Sequence, residues 1–167
     1  MSHPPPITLR PLTEADADDL QSVYAAASDY FQQVTSGPPA PGQAQHDLAE
    51  AATDEGRHLL GIYLSDEPVG VVDLRLADPG PFDVRLGLIL LARTHRHQGL
   101  GSWALRILEE WLRQATPSRA MVLRVPARDH AAQAFFRSHG YTFTGQATRV
   151  PAGGSLVRIL QMRKALG

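Results

Sequence analysis

The sequence predicts one α+β domain around a mixed, mostly antiparallel sheet of about seven strands, flanked by about four helices. Three observations lead there. Short apolar runs bounded by Gly, Pro and Asp turn signals occur seven times, and four intervening stretches carry apolar residues at helical spacing instead. One of those stretches, residues 101–115, lies between two strand-like runs, so these two strands are expected to run parallel through a right-handed crossover. The 167 residues show no internal repeat and no linker, and that length suits a single domain with a sizeable core.

Each element has its own local reason. Residues 1–6, with three consecutive prolines, are expected to be a disordered lead without the apolar region of a signal peptide. Residues 7–12 alternate as a first strand. Thr13 is placed to cap a helix over 14–27, with Leu20, Val23, Tyr24 and Ala27 as its inner stripe and Asp16, Asp18 and Asp19 near its positive end. Residues 28–56 are the least regular part: a turn-rich loop over 36–42, then a short helix over 43–52. Such an excursion reads either as a substrate-side wall or as a surface loop. Residues 58–64 and 69–76 form a hairpin around Ser65-Asp66-Glu67-Pro68, and the near-continuous apolar run in 84–91 suggests a strand covered on both faces.

Helix 101–115 presents Ala104, Ile107, Leu108, Trp111 and Leu112 inward, with Arg106–Glu110 and Glu109–Arg113 spaced as ion pairs on the outside. Residues 119–125 are the next strand. Asp129 is expected to cap a helix over 131–138 that ends at Gly140. Residues 141–150 and 156–164 close the chain as a hairpin around Gly153-Gly154.

Composition narrows the function. A formal net charge of −1 argues against a nucleic-acid partner, and no apolar run approaches the roughly 20 residues that span a bilayer. With no cysteine, disulfides, thiolate metal sites and a cysteine nucleophile are excluded, which fits the cytoplasm. His95 and His97 lack a third ligand within sequence reach, so no metal site is expected.

The chemistry concentrates in residues 91–104, where strand, glycine loop and helix N-terminus follow one another. That arrangement binds phosphate oxygens through backbone N–H groups. No Gly-Lys-Ser/Thr follows, so it is not a Walker loop. Gly99, Gly101 and Ala104 formally meet the dinucleotide pattern G-x-G-x-x-A, which keeps a dinucleotide-dependent oxidoreductase as one alternative. Against it, the chain has a single βαβ unit and no acidic residue ends the next strand.

The hexapeptide Arg96-His97-Gln98-Gly99-Leu100-Gly101 resembles the Q/R-x-x-G-x-G/A motif of the GCN5-related N-acetyltransferases. Downstream, Asp129 to Tyr141 is similar to that family's N-x-x-A-x-x-x-Y-x-x-x-G-F segment, with Ala132, Gly140 and Tyr141 in register. The order of elements agrees along nearly the whole chain. The resemblance implies a splayed parallel pair in the sheet and transfer of the acetyl group of acetyl-CoA to a primary amine of a small molecule or peptide. It implies that the backbone of Ile89, Leu90 and Leu91 pairs with the pantetheine arm. It implies further that His97, Gln98, Gly99, Leu100, Gly101 and Ser102, with Arg96 beside them, hold the pyrophosphate. A homodimer would suit the family, though no exposed stripe demands one.

The sequence departs from the family in two places. Phe136 occupies the position of the usual tyrosine, so it can line the cofactor but has no proton to donate to a departing thiolate. A non-catalytic acyl-CoA-binding regulator is therefore a second alternative. Ser138, Tyr141 or a tyrosine of the 24–30 region could replace the missing acid. Asp129 stands where the family has asparagine. For a base, Asp73 interrupts an apolar strand, an expensive place for a carboxylate unless it is paired; Arg75 and Arg85 are its nearest cationic partners in sequence.

Overall fold

The computed structural model describes residues 5–35 and 37–167. Seven strands form one sheet in the order β1-β2-β3-β4-β5-β7-β6. They are β1 (Ile7–Pro11), β2 (Arg57–Leu64), β3 (Glu67–Leu76), β4 (Asp83–Leu91), β5 (Ala120–Pro126), β6 (Thr142–Ala152) and β7 (Ser155–Ala165). Neighbours are antiparallel except β4 and β5, the pair joined through a helix. Five α-helices flank the sheet: α1 (Ala17–Ala26), α2 (Ser28–Thr35), α3 (Gln43–Ala52), α4 (Leu100–Ala115) and α5 (His130–Ser138).

The sheet separates two apolar clusters. On one face Leu20, Val23 and Tyr24 of α1, Phe31 of α2 and Leu48 of α3 pack on Leu59, Val71 and Leu90. On the other, Leu100, Ala104, Leu105, Leu108 and Leu112 of α4, with Phe136 of α5, pack on Val72, Leu74, Val84, Met121 and Leu123. Strand alternation assigns these sides: Val84, Leu86, Ile89 and Leu91 face α4 and α5, whereas Leu88 and Leu90 face α1 to α3. The expectation of a strand covered on both faces holds for β4.

Several expectations need correction. The region after α1 is more regular than its composition suggests, because Ser28–Thr35 is helical. The first helix begins as a 3-10 turn over Glu14–Asp16, and Asp16 reaches back to accept the Thr13 N–H at 2.8 Å. The disordered lead falls, for residues 1–4, outside the described residues. Pro5 and Pro6 belong to the fold, since Pro6 O accepts the Ser65 N–H at 2.8 Å.

On α4 the inner face is rotated from the expected one. Leu105 and Glu109 are buried and Trp111 is 38% exposed. The two i,i+4 ion pairs do not form. Glu109 instead takes Lys164 Nζ at 2.8 Å and the Tyr141 hydroxyl at 2.7 Å, and Arg113 pairs with Glu110. A buried carboxylate needs such partners, and the segment between α5 and β6 supplies one and β7 the other only once the sheet has assembled.

Candidate active site

The site begins where β4 and β5 part. They pair in register only from Asp83↔Ala120 to Leu86↔Leu123. Beyond that point β4 keeps β3 as its neighbour and β5 keeps β7. Two residues account for the parting. Gly87 is bulged out of the β3–β4 ladder, which goes from Leu74↔Leu86 to Asp73↔Leu88, and a bulge sharpens the local twist. Pro126 at the end of β5 has no N–H to offer another strand. Between Gly87 and Leu91, alternate backbone groups of β4 therefore face an open slot.

That slot is a cavity of about 630 Å³ lined by Gly87, Leu88 and Ile89 of β4, Arg124 and Val125 of β5, Ala132 and Phe136 of α5, and Tyr30 and Gln33 of α2. A second hollow of about 260 Å³ shares Ile89, Ala132 and Phe136 with it and extends past Leu90 and Leu91 to Arg96 and Gly101. The two make one path from the glycine loop, between the strands, to α2. It brings Ile89, Leu90, Leu91, Arg96, Gly101 and Phe136 together.

The loop itself is shaped for an anion. Gly99 takes φ 81° as the residue capping α4, and His97 takes φ 61°. A left-handed residue other than glycine is held only where its surroundings demand it. The first backbone bond of the helix runs from the Trp103 N–H to Gly99 O at 3.1 Å. Among the described residues, no acceptor meets the backbone N–H groups of His97, Gln98, Gly99, Leu100, Gly101 or Ser102. Six donors gathered at the positive end of a sixteen-residue helix form an anion cradle. A Cβ on Gly101 would lie 3.6 Å from the Phe135 ring, ordinary contact, so the protein's own packing does not require glycine there.

Arg96, expected as a fixed positive charge beside the loop, borders the hollow that reaches Gly101 and is held by its neighbours. Its Nη2 donates to Asp29 Oδ1 at 3.1 Å, its Nη1 to Asp29 Oδ2, and its Nε to Leu91 O at 3.0 Å. The guanidinium thus clips α2 to the end of β4, and it holds the Asp29 carboxyl below its usual range.

The proton-handling candidates separate clearly. Tyr141, expected as a possible acid, is 1% exposed and gives its hydroxyl hydrogen to Glu109, away from the slot; burial raises its pKa strongly and the Glu109 bond adds to it. Ser138 donates to Phe135 O at 2.6 Å. Tyr24 donates to Asp47 at 2.6 Å. Tyr30 alone of these lines the slot, and its hydroxyl has no hydrogen-bond partner among the described residues. Burial raises its pKa above the usual tyrosine value, and the charge of Asp73 adds to the shift.

Asp73 does not pair with Arg75 or Arg85. It is held in two bonds by Arg57, at 2.9 and 3.2 Å, while Arg75 takes Asp54 and Arg85 takes Asp78. Arg75 is drawn to the turn before β2 and Arg85 to the turn beyond β3, whereas Arg57 comes from β2, where Leu59 is the residue in register with Asp73. Asp129 caps α5, accepting the Ala132 N–H at 3.0 Å, as its position suggests.

A crossover helix with a glycine loop at its N-terminus, beside a parted parallel pair, offers one continuous site for an anionic group and an extended arm. Residues 20–141 match the family model described as acetyltransferase (GNAT) family, and the chain belongs to that family. No curated protein matches the sequence. Among solved structures it is similar to an acetyltransferase from Thermus thermophilus, at 27% identity and TM-score 0.80, over 95% of this chain and 96% of that one. An acetyl transferase from Salmonella typhimurium that modifies the N-terminal serine of ribosomal protein L7/L12 gives TM-score 0.82 at 15% identity, over 95% and 94% of the two chains. YncA from Salmonella typhimurium, solved with its cofactor acetyl-CoA, gives 0.72 at 18%, over 97% and 95%. The protein is an acetyl-CoA-dependent N-acetyltransferase acting on an amine. No helix among the described residues is long and apolar enough to cross a membrane.

Proposed function

We propose that this protein acetylates α-amines by direct attack, with Tyr30 as the proton donor in place of the tyrosine that Phe136 replaces. Acetyl-CoA supplies the activated acetyl group. The chain's residues do the rest. The N–H groups of residues 97–102 hold the phosphates at the helix N-terminus. The exposed edge of β4 beyond Gly87 offers backbone donors and acceptors to an extended arm. The amine nitrogen forms its bond to the thioester carbonyl carbon as the carbon–sulfur bond breaks, and the electron pair stays on sulfur. Tyr30 gives its proton to that sulfur. The surplus ammonium proton passes to water, and the phenol is reprotonated from solvent.

The observation that carries this assignment is Tyr30 itself, half-buried, lining the slot that Phe136 borders, with a hydroxyl that has no hydrogen-bond partner among the described residues. Its raised pKa keeps it a phenol through the neutral range, the form an acid needs. Asp73, held by Arg57, acts electrostatically by keeping Tyr30 protonated, and Tyr141 is structural. Among the described residues that line the slot, the one carboxylate is Asp129, which caps α5, and there is no histidine. The α-amine of a polypeptide terminus, with a pKa around 7.7–8.0, is substantially neutral near pH 7.5 without a protein base, whereas a lysine amine near 10.4 is not.

Three measurements test the reading. Calorimetric titration should show binding of acetyl-CoA and none of NADH; the reverse would return the loop to the oxidoreductase alternative. In the Gly99→Val variant, which forces a β-branched residue to φ 81°, acetyl-CoA affinity should fall at least tenfold. Release of free thiol with any α-amine removes the alternative of a regulator without turnover.

A further inference from the structure

We propose that the acceptor carries carboxylate groups close to its amine, and that Arg124 and Arg128 hold them at the end of the slot away from the glycine loop. This rests on the acetyl-transfer reading of the slot and names the class of acceptor.

The charge of this protein is unevenly divided. Residues 1–110 contain sixteen Asp and Glu and seven Arg and Lys, whereas residues 111–167 contain one acid and nine bases. The near-zero net charge therefore conceals an acidic part and a strongly basic one. Pairing does not cancel the basic part. Of its nine cations, Arg113 and Lys164 have a carboxylate partner among the described residues, on Glu110 and Glu109. The others have none, and Arg149 and Arg158 even stand opposite each other across β6 and β7, where like charges repel.

Arg124 is the member of this group that the fold brings to the chemistry. It lies on β5 just beyond the last residue paired with β4. Its neighbours Leu123 and Val125 face α4 and α5, so strand alternation sends Arg124 to the face shared by Leu88 and Tyr30, where no other strand lies beside it on the β4 side. A small groove running outward over β7 and β6 past Gln161 and Thr148 is lined by the same arginine. Arg128 borders the slot from the loop before α5. The single nearby acid, Asp129, has one oxygen engaged by the Ala132 N–H. The hollow that reaches Gly101 includes neither Arg124 nor Arg128, which separates them from the phosphate cradle. Two exposed guanidinium groups, with no acceptor among the described residues and bordering the slot away from the glycine loop, suit planar carboxylates.

The test uses matched acceptors. Thiol release from acetyl-CoA is followed with glutamate against glutamine, and with a peptide bearing two glutamates after its free N-terminus against the same peptide with glutamines. These arms distinguish a free amino acid from a polypeptide terminus as the source of the carboxylates. At least one acidic member should be preferred by roughly ten- to a hundredfold in kcat/KM, and the preference should shrink as salt is raised. Arg124→Gln should remove most of that preference by raising the KM of the acidic acceptor, with the KM of acetyl-CoA unchanged.

Equal rates for both members of each pair would overturn the proposal, as would a rise in the KM of acetyl-CoA alone, which would give Arg124 to the cofactor. If no amine turns over, calorimetry of N-acetylglutamate and N-acetylglutamine with the CoA-saturated protein decides instead. Tighter binding of the dicarboxylate that is lost in Arg124→Gln supports the proposal, and absence of that difference sinks it. Binding of acetyl-CoA is measured separately, so failure of the acceptor class and failure of the acetyl-transfer reading remain distinct results.

Discussion

Tyr30 on α2 and Tyr141 just after α5 carry the same phenol, and the two sides of the cleft use it differently. Around Tyr141 everything is closed. Its hydroxyl is committed to Glu109, Glu109 to Lys164, and its ring meets Phe136 edge-on at 5.5 Å. Around Tyr30 the ring is held, edge-on to Phe31 at 5.4 Å, but the residue lines the slot and its hydroxyl has no bond among the described residues. A satisfied buried polar network stiffens a core, whereas an unsatisfied donor facing a cavity is available for chemistry. The α5 side is the frame and the α2 side is the working surface.

The sharpest way to break this division is to remove one hydroxyl at a time. Tyr30→Phe should lower kcat by about 10²–10⁴-fold, the usual worth of a positioned acid, with acetyl-CoA affinity and melting temperature unchanged. Adding Phe136→Tyr to that variant should recover part of the loss, since the Phe136 ring borders both hollows. The kcat profile of the unmodified protein should show no decline up to about pH 9, because burial lifts Tyr30 above its ordinary value near 10. A kcat for Tyr30→Phe within twofold of the original would remove Tyr30 from the chemistry.

The clip between α2 and β4 predicts an intermediate effect. Asp29→Asn weakens the bond to Arg96 that holds α2 over the slot. Stopped-flow or steady-state rates should then show kcat reduced about tenfold through a misplaced Tyr30, a loss of orientation rather than of a reacting group. If Asp29→Asn instead changes only acetyl-CoA binding, Arg96 serves the cofactor and α2 is held by other contacts.

Tyr141→Phe should do the opposite of Tyr30→Phe. It strips one partner from Glu109, which is 3% exposed, and should cost about 1–3 kcal/mol of unfolding free energy in denaturant titration. Its kcat should stay within twofold.

What could be read in advance follows the same division. Strands and most helices were legible because period-2 and period-3.6 patterns are local, and the glycine cradle was legible because it is a contiguous stretch. The parting of β4 from β5 follows from the register around Gly87, which no single strand reveals. Ser28–Thr35 escaped notice as a helix because its polar residues and short length leave little pattern. The pairing of Asp73 with Arg57 joins residues sixteen apart through two strands, and nearest cations in sequence are a poor guide to it. Tyr141 looked available because sequence carries no information about Glu109 turning inward.

The smallest effect lies at the far end of the frame. His139, which follows α5, approaches Ser102 Oγ at 2.9 Å through Nε2 and packs against Phe135 at 4.9 Å. Burial lowers its pKa from 6.5, and the positive charges of Arg106 and Lys164 add to the shift against Glu109. Below 6.5 the unfolded chain binds a proton at this residue before the folded one does, so folding stability is full above that value and is lost as pH falls through the lowered one. His139→Gln can keep a hydrogen bond to Ser102 but cannot titrate. It should flatten the decline of melting temperature below about pH 6.5 and leave the pH dependence of kcat unmoved. A change in the rate profile instead would mean that the α5 side also takes part in proton transfer, and the contrast between the two tyrosines would no longer divide frame from chemistry.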